Sequence, residues 1–172
     1  LLYRSLDPKT SFDIWALSMS DRKSFPVVKT EHEERDAQFS PDGKWIAYQS
    51  NESGRFEIWV RPFPFPGADV KADERLQIST NGGSQVRWAR NGTEIFYAGF
   101  DGRLMAVPVR ADPTGRAVTP GPAVPLFESV GPPLFSGGTA LPWYMVSRDG
   151  RRTLLLLDER AGVGASLLVR RD

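Results

Sequence analysis

The chain has 172 residues, enough for one domain with a sizeable core. Its 22 Lys and Arg against 21 Asp and Glu give a formal net charge of +1, which excludes the basic excess of an electrostatic nucleic-acid binder. No apolar stretch approaches the roughly 20 residues of a membrane helix, and the absence of cysteine removes disulfides, thiolate zinc sites and Cys nucleophiles together.

Helical patterning is nearly absent, and the acidic run Glu31-His32-Glu33-Glu34-Arg35-Asp36 carries no apolar stripe. Short apolar runs bounded by Gly, Pro, Asn and Asp predict strands at 2–5, 13–19, 25–29, 36–40, 45–50, 56–63, 75–79, 85–89, 94–98, 103–109, 124–128, 142–147, 152–157 and 166–170. The longest connections expected are the proline-rich Asp112 to Pro125 and the glycine-rich Gly131 to Leu141. The chain begins at Leu1-Leu2-Tyr3 without an initiator Met, so a fragment is expected and the lack of a signal pattern says little about compartment.

These strands repeat. Phe39-Ser40-Pro41-Asp42-Gly43-Lys44-Trp45-Ile46-Ala47-Tyr48 corresponds to Trp88-Ala89-Arg90-Asn91-Gly92-Thr93-Glu94-Ile95-Phe96-Tyr97. It corresponds again, more weakly, to the segment from Val146 to Leu155 through Asp149 and Gly150. Each unit is a strand, a turn of Asp or Asn then Gly, and a second strand. The Asp or Asn side chain accepts turn N–H groups and the Gly takes a positive φ, so Asp42, Gly43, Asn91, Gly92, Asp149 and Gly150 are read as structural. A second module follows: Asp13-Ile14-Trp15, Glu57-Ile58-Trp59 and Arg103-Leu104-Met105, with a weaker copy at Ser166-Leu167-Leu168. Ile14, Ile58 and Leu104 stand 44 and 46 residues apart, a period that fits four short strands per propeller blade. Strands such as Trp45 to Tyr48 are apolar on both faces, which a stack of sheets explains and an isolated sheet does not.

The fold class expected is all-β, a partial β-propeller of about three to four blades, each a four-stranded antiparallel sheet. Residues 1–29 are assigned to a blade lacking its first strand, 36–79 and 85–128 to full blades, and 142–170 to a blade lacking its last strand.

The stretch Ala37-Gln38-Phe39-Ser40-Pro41-Asp42-Gly43-Lys44-Trp45-Ile46-Ala47-Tyr48, continued by Glu57-Ile58-Trp59-Val60, resembles the WD40-like repeat of TolB-like β-propellers. Similar repeats occur in prolyl-oligopeptidase-type propellers and in sensor regions of bacterial Ser/Thr kinases. The kinase-attached form looks closest, through Phe100-Asp101-Gly102-Arg103-Leu104-Met105-Ala106-Val107 and Pro125-Leu126-Phe127. The resemblance implies a six-bladed ring of which part is present, a bacterial source and an extracytoplasmic location. It implies no kinase activity, because no kinase signature lies in these residues.

No catalytic set emerges from the sequence. No G-x-S-x-G elbow, phosphate-binding loop or EF-hand spacing is present, and the only histidine, His32, lies in an acidic segment read as a solvated loop. The acids from Asp69 to Glu74 lack metal-ligand spacing and are read as a charged surface loop. No catalytic residue, metal or cofactor is therefore assigned. Candidate binding residues are those where the innermost strands differ between repeats: Asp36, Gln85 and Trp143 at one aligned position, Gln38 and Arg87 at another, and Arg35 just before. The expected role is a non-catalytic module binding a protein, peptide or small ligand. The alternative is the substrate-filtering propeller of an oligopeptidase-like hydrolase. Partners expected are a protein or peptide, the missing part of the ring, or a second copy.

Overall fold

A computed structural model of the chain describes residues 1–64, 74–112, 117–127, 144–147, 152–155 and 166–169. Among them every regular element is a strand, and all pairings are antiparallel.

The first sheet is β1 (Leu2–Asp7), β2 (Ser11–Leu17) and β3 (Ser24–Val28), in that order. The second runs β4 (Glu34–Phe39), β5 (Trp45–Ser50), β6 (Glu57–Pro62) and β7 (Leu76–Gln77). The third orders β8 (Gly83–Trp88), β9 (Glu94–Gly99) and β10 (Leu104–Ala111) with β11 (Val118–Pro120) beyond, and β12 (Val124–Phe127) also pairs with β10. The fourth comprises β13 (Tyr144–Val146), β14 (Arg152–Leu155) and β15 (Ser166–Val169).

Three apolar seams stack these sheets. Ile14, Ala16 and Val28 of the first meet Ile46 and Tyr48 of the second. Ala47, Ile58 and Val60 on the opposite face of the second meet Val86, Ile95, Tyr97 and Val107 of the third. Phe96, Ala98, Leu104 and Ala106 then meet Tyr144 of the fourth. All six residues of β5 are buried, because a sheet lies on each side of it. This is the stacking of propeller blades.

The register aligns the repeats. Ile14 faces Arg4, Ile58 faces Gln49 and Leu104 faces Ala98, so Tyr3, Tyr48 and Tyr97 hold one equivalent position. Tyr48 and Tyr97 are buried, whereas Tyr3 is 37% exposed. In the first sheet β1 corresponds to β5, so the counterpart of the inner strand β4 is not among its strands.

The turns between first and second strands are alike. Gly43 and Gly92 have φ of +72° and +74°, and each donates its N–H three residues back, to Ser40 O and Ala89 O at 2.9 Å. Lys44 N and Thr93 N each donate to the preceding Asp42 Oδ1 or Asn91 Oδ1 at 3.1 Å. Burial works against the ionised Asp42 carboxyl, but the Ser40 hydroxyl and the Lys44 N–H hold it below the usual carboxylate range. Asp149 and Gly150 lie outside the described residues, as do Asp69 and the Gly131 to Leu141 connection. The strand expected at 75–79 is shorter, Leu76–Gln77, and β11 is additional.

Candidate functional site

The inner strands β4 and β8 each contain a bulge at the same place. Arg35 pairs with Gln49 and Gln38 with Ala47, so Asp36 and Ala37 together face Tyr48 alone. In the next sheet Gln85 and Val86 face Tyr97 in the same two-to-one fashion. The first residue of each bulge is left-handed: Asp36 at φ +49° and Gln85 at φ +53°. Glycine is the usual occupant of that conformation, so both positions carry strain that the flanking ladder holds in place.

Arg35 and Asp36 sit together at the start of β4. The Arg35 guanidinium is paired to the Glu33 carboxylate and lies over two aromatic rings, 5.5 Å from the centre of Phe12 and 5.1 Å from that of Phe56. Phe12 and Phe56 are repeat equivalents on neighbouring blades, one residue before Asp13 and Glu57. Arg4 lies over Phe12 as well, at 4.7 Å. Asp36 is exposed and lines a recess of about 260 Å³ with Tyr3, Arg4 and Ala37. Asp36 and Arg4 thus share one recess, and the residue before Asp36 on the same strand, Arg35, lies over Phe12 and Phe56. That set suits charge-assisted hydrogen bonds and stacking with a polar ligand.

The other candidates are employed differently. Gln38 Oε1 accepts the backbone N–H of Trp88 in the next blade at 2.8 Å, and Gln38 lines a larger concavity with Phe39, Pro41, Trp88 and Arg90. Gln85 is only 6% exposed, so it is not a channel-wall side chain of the kind expected. Its N–H is received by Gln49 Oε1 at 3.4 Å and its carbonyl accepts from the Tyr144 hydroxyl, which ties the bulge to both neighbouring blades. Arg87 is half-buried, donates to Val86 O at 2.7 Å and lies 5.9 Å from the Tyr144 ring. Trp143 lies outside the described residues.

His32 is half-buried rather than open, 3.9 Å from Glu31, in a polar hollow that also includes Asp7, Thr10, Glu33 and Asn51. Among the described residues no group of three or more His, Asp and Glu is arranged to hold a metal ion, and no described helix is long and apolar enough to cross a membrane. Sequence reasoning missed the roles of Phe12 and Phe56. Their recurrence one residue before Asp13 and Glu57 was the available signal.

No protein-family profile matches the chain, and no curated protein matches it by sequence. Solved structures do resemble it. TolB from Acinetobacter baumannii aligns with a TM-score of 0.59 at 16% identity, covering 98% of this chain and 37% of that one. The tricorn protease aligns at 0.53 and 14% identity, over 98% of this chain and 19% of that one. The periplasmic gluconolactonase of Pseudomonas aeruginosa aligns at 0.50 and 16% identity, over 99% and 53%. The chain thus spans between a fifth and about half the length of these proteins. The likeness establishes a TolB-like β-propeller fold.

Proposed function

We propose that the chain is part of a non-catalytic β-propeller that binds a protein or peptide partner at the mouth formed by its inner strands, with Arg35 and Asp36 at the centre of the contact. The observation carrying this reading is Asp36: an exposed carboxylate held in a strained backbone conformation beside a guanidinium that two aromatic rings fix in place. Strain concentrated at an exposed polar position favours binding over stability. Guanidinium groups at Arg4 and Arg35 with a carboxylate at Asp36 suit a peptide segment bearing both charges. We further propose a sensor role within a larger chain, which rests on the resemblance of Phe100 to Val107 and of Pro125 to Phe127 to kinase-attached propellers.

The alternative, a substrate filter for a hydrolase, draws on the fold shared with the tricorn protease. In both readings this chain performs no chemistry of its own.

The test is selection of a displayed 12-residue random peptide library on the purified chain. Peptides enriched on the parent protein are expected to lose at least tenfold in affinity on Arg35→Glu with Asp36→Lys, the fold being checked by circular dichroism. Undiminished binding to the doubly reversed variant overturns the assignment. Assays with peptide, ester and phosphate substrates are expected to show no turnover. A reproducible rate abolished by His32→Gln overturns the non-catalytic reading.

A further inference from the structure

The chain passes from the first sheet to the second through residues 29–33, and two carboxylates are buried at that crossing. Asp13 on β2 and Glu34 at the head of β4 are both fully buried. Asp13 Oδ2 accepts from Thr10 Oγ1 at 3.0 Å and lies 3.7 Å from Lys29 Nζ, which also bonds Asp7 Oδ2 at 2.7 Å. Glu34 Oε1 accepts from the Thr30 hydroxyl. The remaining oxygens, Asp13 Oδ1 and Glu34 Oε2, have no hydrogen-bond partner among the described residues. A buried carboxylate oxygen without a donor is costly, and a second carboxylate nearby adds repulsion.

The next crossing in the repeat meets the same problem with a complete set of donors. Glu57 occupies the position of Asp13, immediately before the repeated isoleucine. The Ser79 hydroxyl donates to its Oε2, Gly82 N–H donates to its Oε1 at 2.8 Å, and Arg55 Nε lies 3.5 Å away. Register places Lys29 where Ser79 stands and Glu34 where Gly83 stands. The first crossing thus exchanges a glycine for a second acid and shortens the first acid from Glu to Asp.

We infer that Glu34 carries a proton in the folded chain, and that this neutral carboxyl clasps the crossing between the first two blades. Ionisation leaves Glu34 Oε2 as a charged oxygen, buried without a donor among the described residues and opposed by the charge of Asp13. The proton comes from solvent, and the Lys29 ammonium stands beside Asp13 at 3.7 Å. Burial, with the charges of Asp13 and Glu52 adding to it, pushes the Glu34 carboxyl up to about 7 against the Thr30 hydrogen bond. The other charged groups around the crossing are already engaged. Asp7 is held by Lys29, Glu33 by Arg35, and Glu52 by Arg75 at 2.9 Å. His32 stands near Glu31.

The sign follows from the reference carboxyl value of 4.5 in the unfolded chain and about 7 in the folded one. Between these values the folded state binds the extra proton, so stability falls as pH rises through that window and levels off above it. The clasp is closed in mildly acidic solution and loosened above neutrality.

Thermal unfolding of the 172-residue chain at pH 5.5 and pH 8 tests this, together with an infrared titration of the protonated-carboxyl band. The melting temperature is expected to drop by several degrees from the lower to the higher pH. Glu34→Gln, which keeps a donor at that position, is expected to lose most of the drop, and His32→Gln to retain it. The infrared band is expected to persist at pH 5.5 and to titrate near neutrality. Asp13→Asn removes the neighbouring charge and is expected to move that titration to lower pH. A full pH drop in Glu34→Gln overturns the proposal. So does the absence of a protonated-carboxyl band at pH 5.5 in the parent chain, a readout that stands even where a variant fails to fold.

Discussion

Two kinds of glycine in this chain do different work, and substitution separates them. A Cβ at Gly43 would meet nothing within 4 Å, so replacement there is opposed by the positive φ alone. Gly43→Ala is expected to cost about 1 kcal/mol, the price of an L-residue in the left-handed region. At Gly82, which also has a positive φ, a Cβ would stand 2.4 Å from Phe100 Cγ and 2.9 Å from its Cβ. The ring root cannot swing away without moving its backbone, and the Gly82 N–H also holds Glu57. Gly82→Ala is therefore expected to destabilise clearly more than Gly43→Ala, by about 2 kcal/mol or more. Chemical denaturation of the two variants side by side checks the ranking, and equal midpoints would contradict it.

At the level of strands, the paired bulges on β4 and β8 place Asp36 and Gln85 at equivalent points of neighbouring inner strands. Asp36 occupies the left-handed bulge position with an exposed side chain. Asp36→Gly is expected to raise stability by about 1 kcal/mol by relieving the backbone, while weakening peptide binding at the mouth. A loss of stability on denaturant titration would show that the side chain, not the strain, governs the position. The repeat, the Asp/Asn-Gly turns and the both-faces-apolar strands were legible in the sequence because each is a local pattern. The bulges were not legible, because Asp36 and Gln85 stand where glycine would have announced them. The burial of Gln85 was hidden for a related reason. Its partners Gln49 and Tyr144 come from the two adjacent blades, and a repeat period says nothing about which side chains cross between copies. The strand β11 passed unnoticed because Val118-Thr119-Pro120 is short and sits among prolines.

For the molecule as a whole, the equivalence of Tyr3 with Tyr48 and Tyr97 has a direct outcome. The blade face that carries Tyr48 and Trp59 is covered by the first sheet, whereas the corresponding face with Tyr3 and Trp15 has no described sheet against it. Leu1 and Tyr3 are accordingly exposed. Contiguous apolar surface of this kind drives association. The isolated 172-residue chain is expected to self-associate, with Tyr3→Glu shifting it toward monomer. Light scattering at about 100 µM reads this directly, and a monodisperse monomer for the parent chain would show that the open face is tolerated.

The bonds from Gln38 to the Trp88 N–H, from Gln49 to the Gln85 N–H and from Tyr144 to the Gln85 carbonyl all run between neighbouring blades. The inner strand β8 is thus completed by side chains that belong to the repeats on both sides of it. Stability built this way resembles a one-dimensional array with nearest-neighbour coupling, in which melting the second or the fourth sheet strips a backbone partner from the third. Amide exchange along such an array is graded by position: the inner strand clasped on both sides, β8, is the slowest to open, and loss of protection travels inward from the ends.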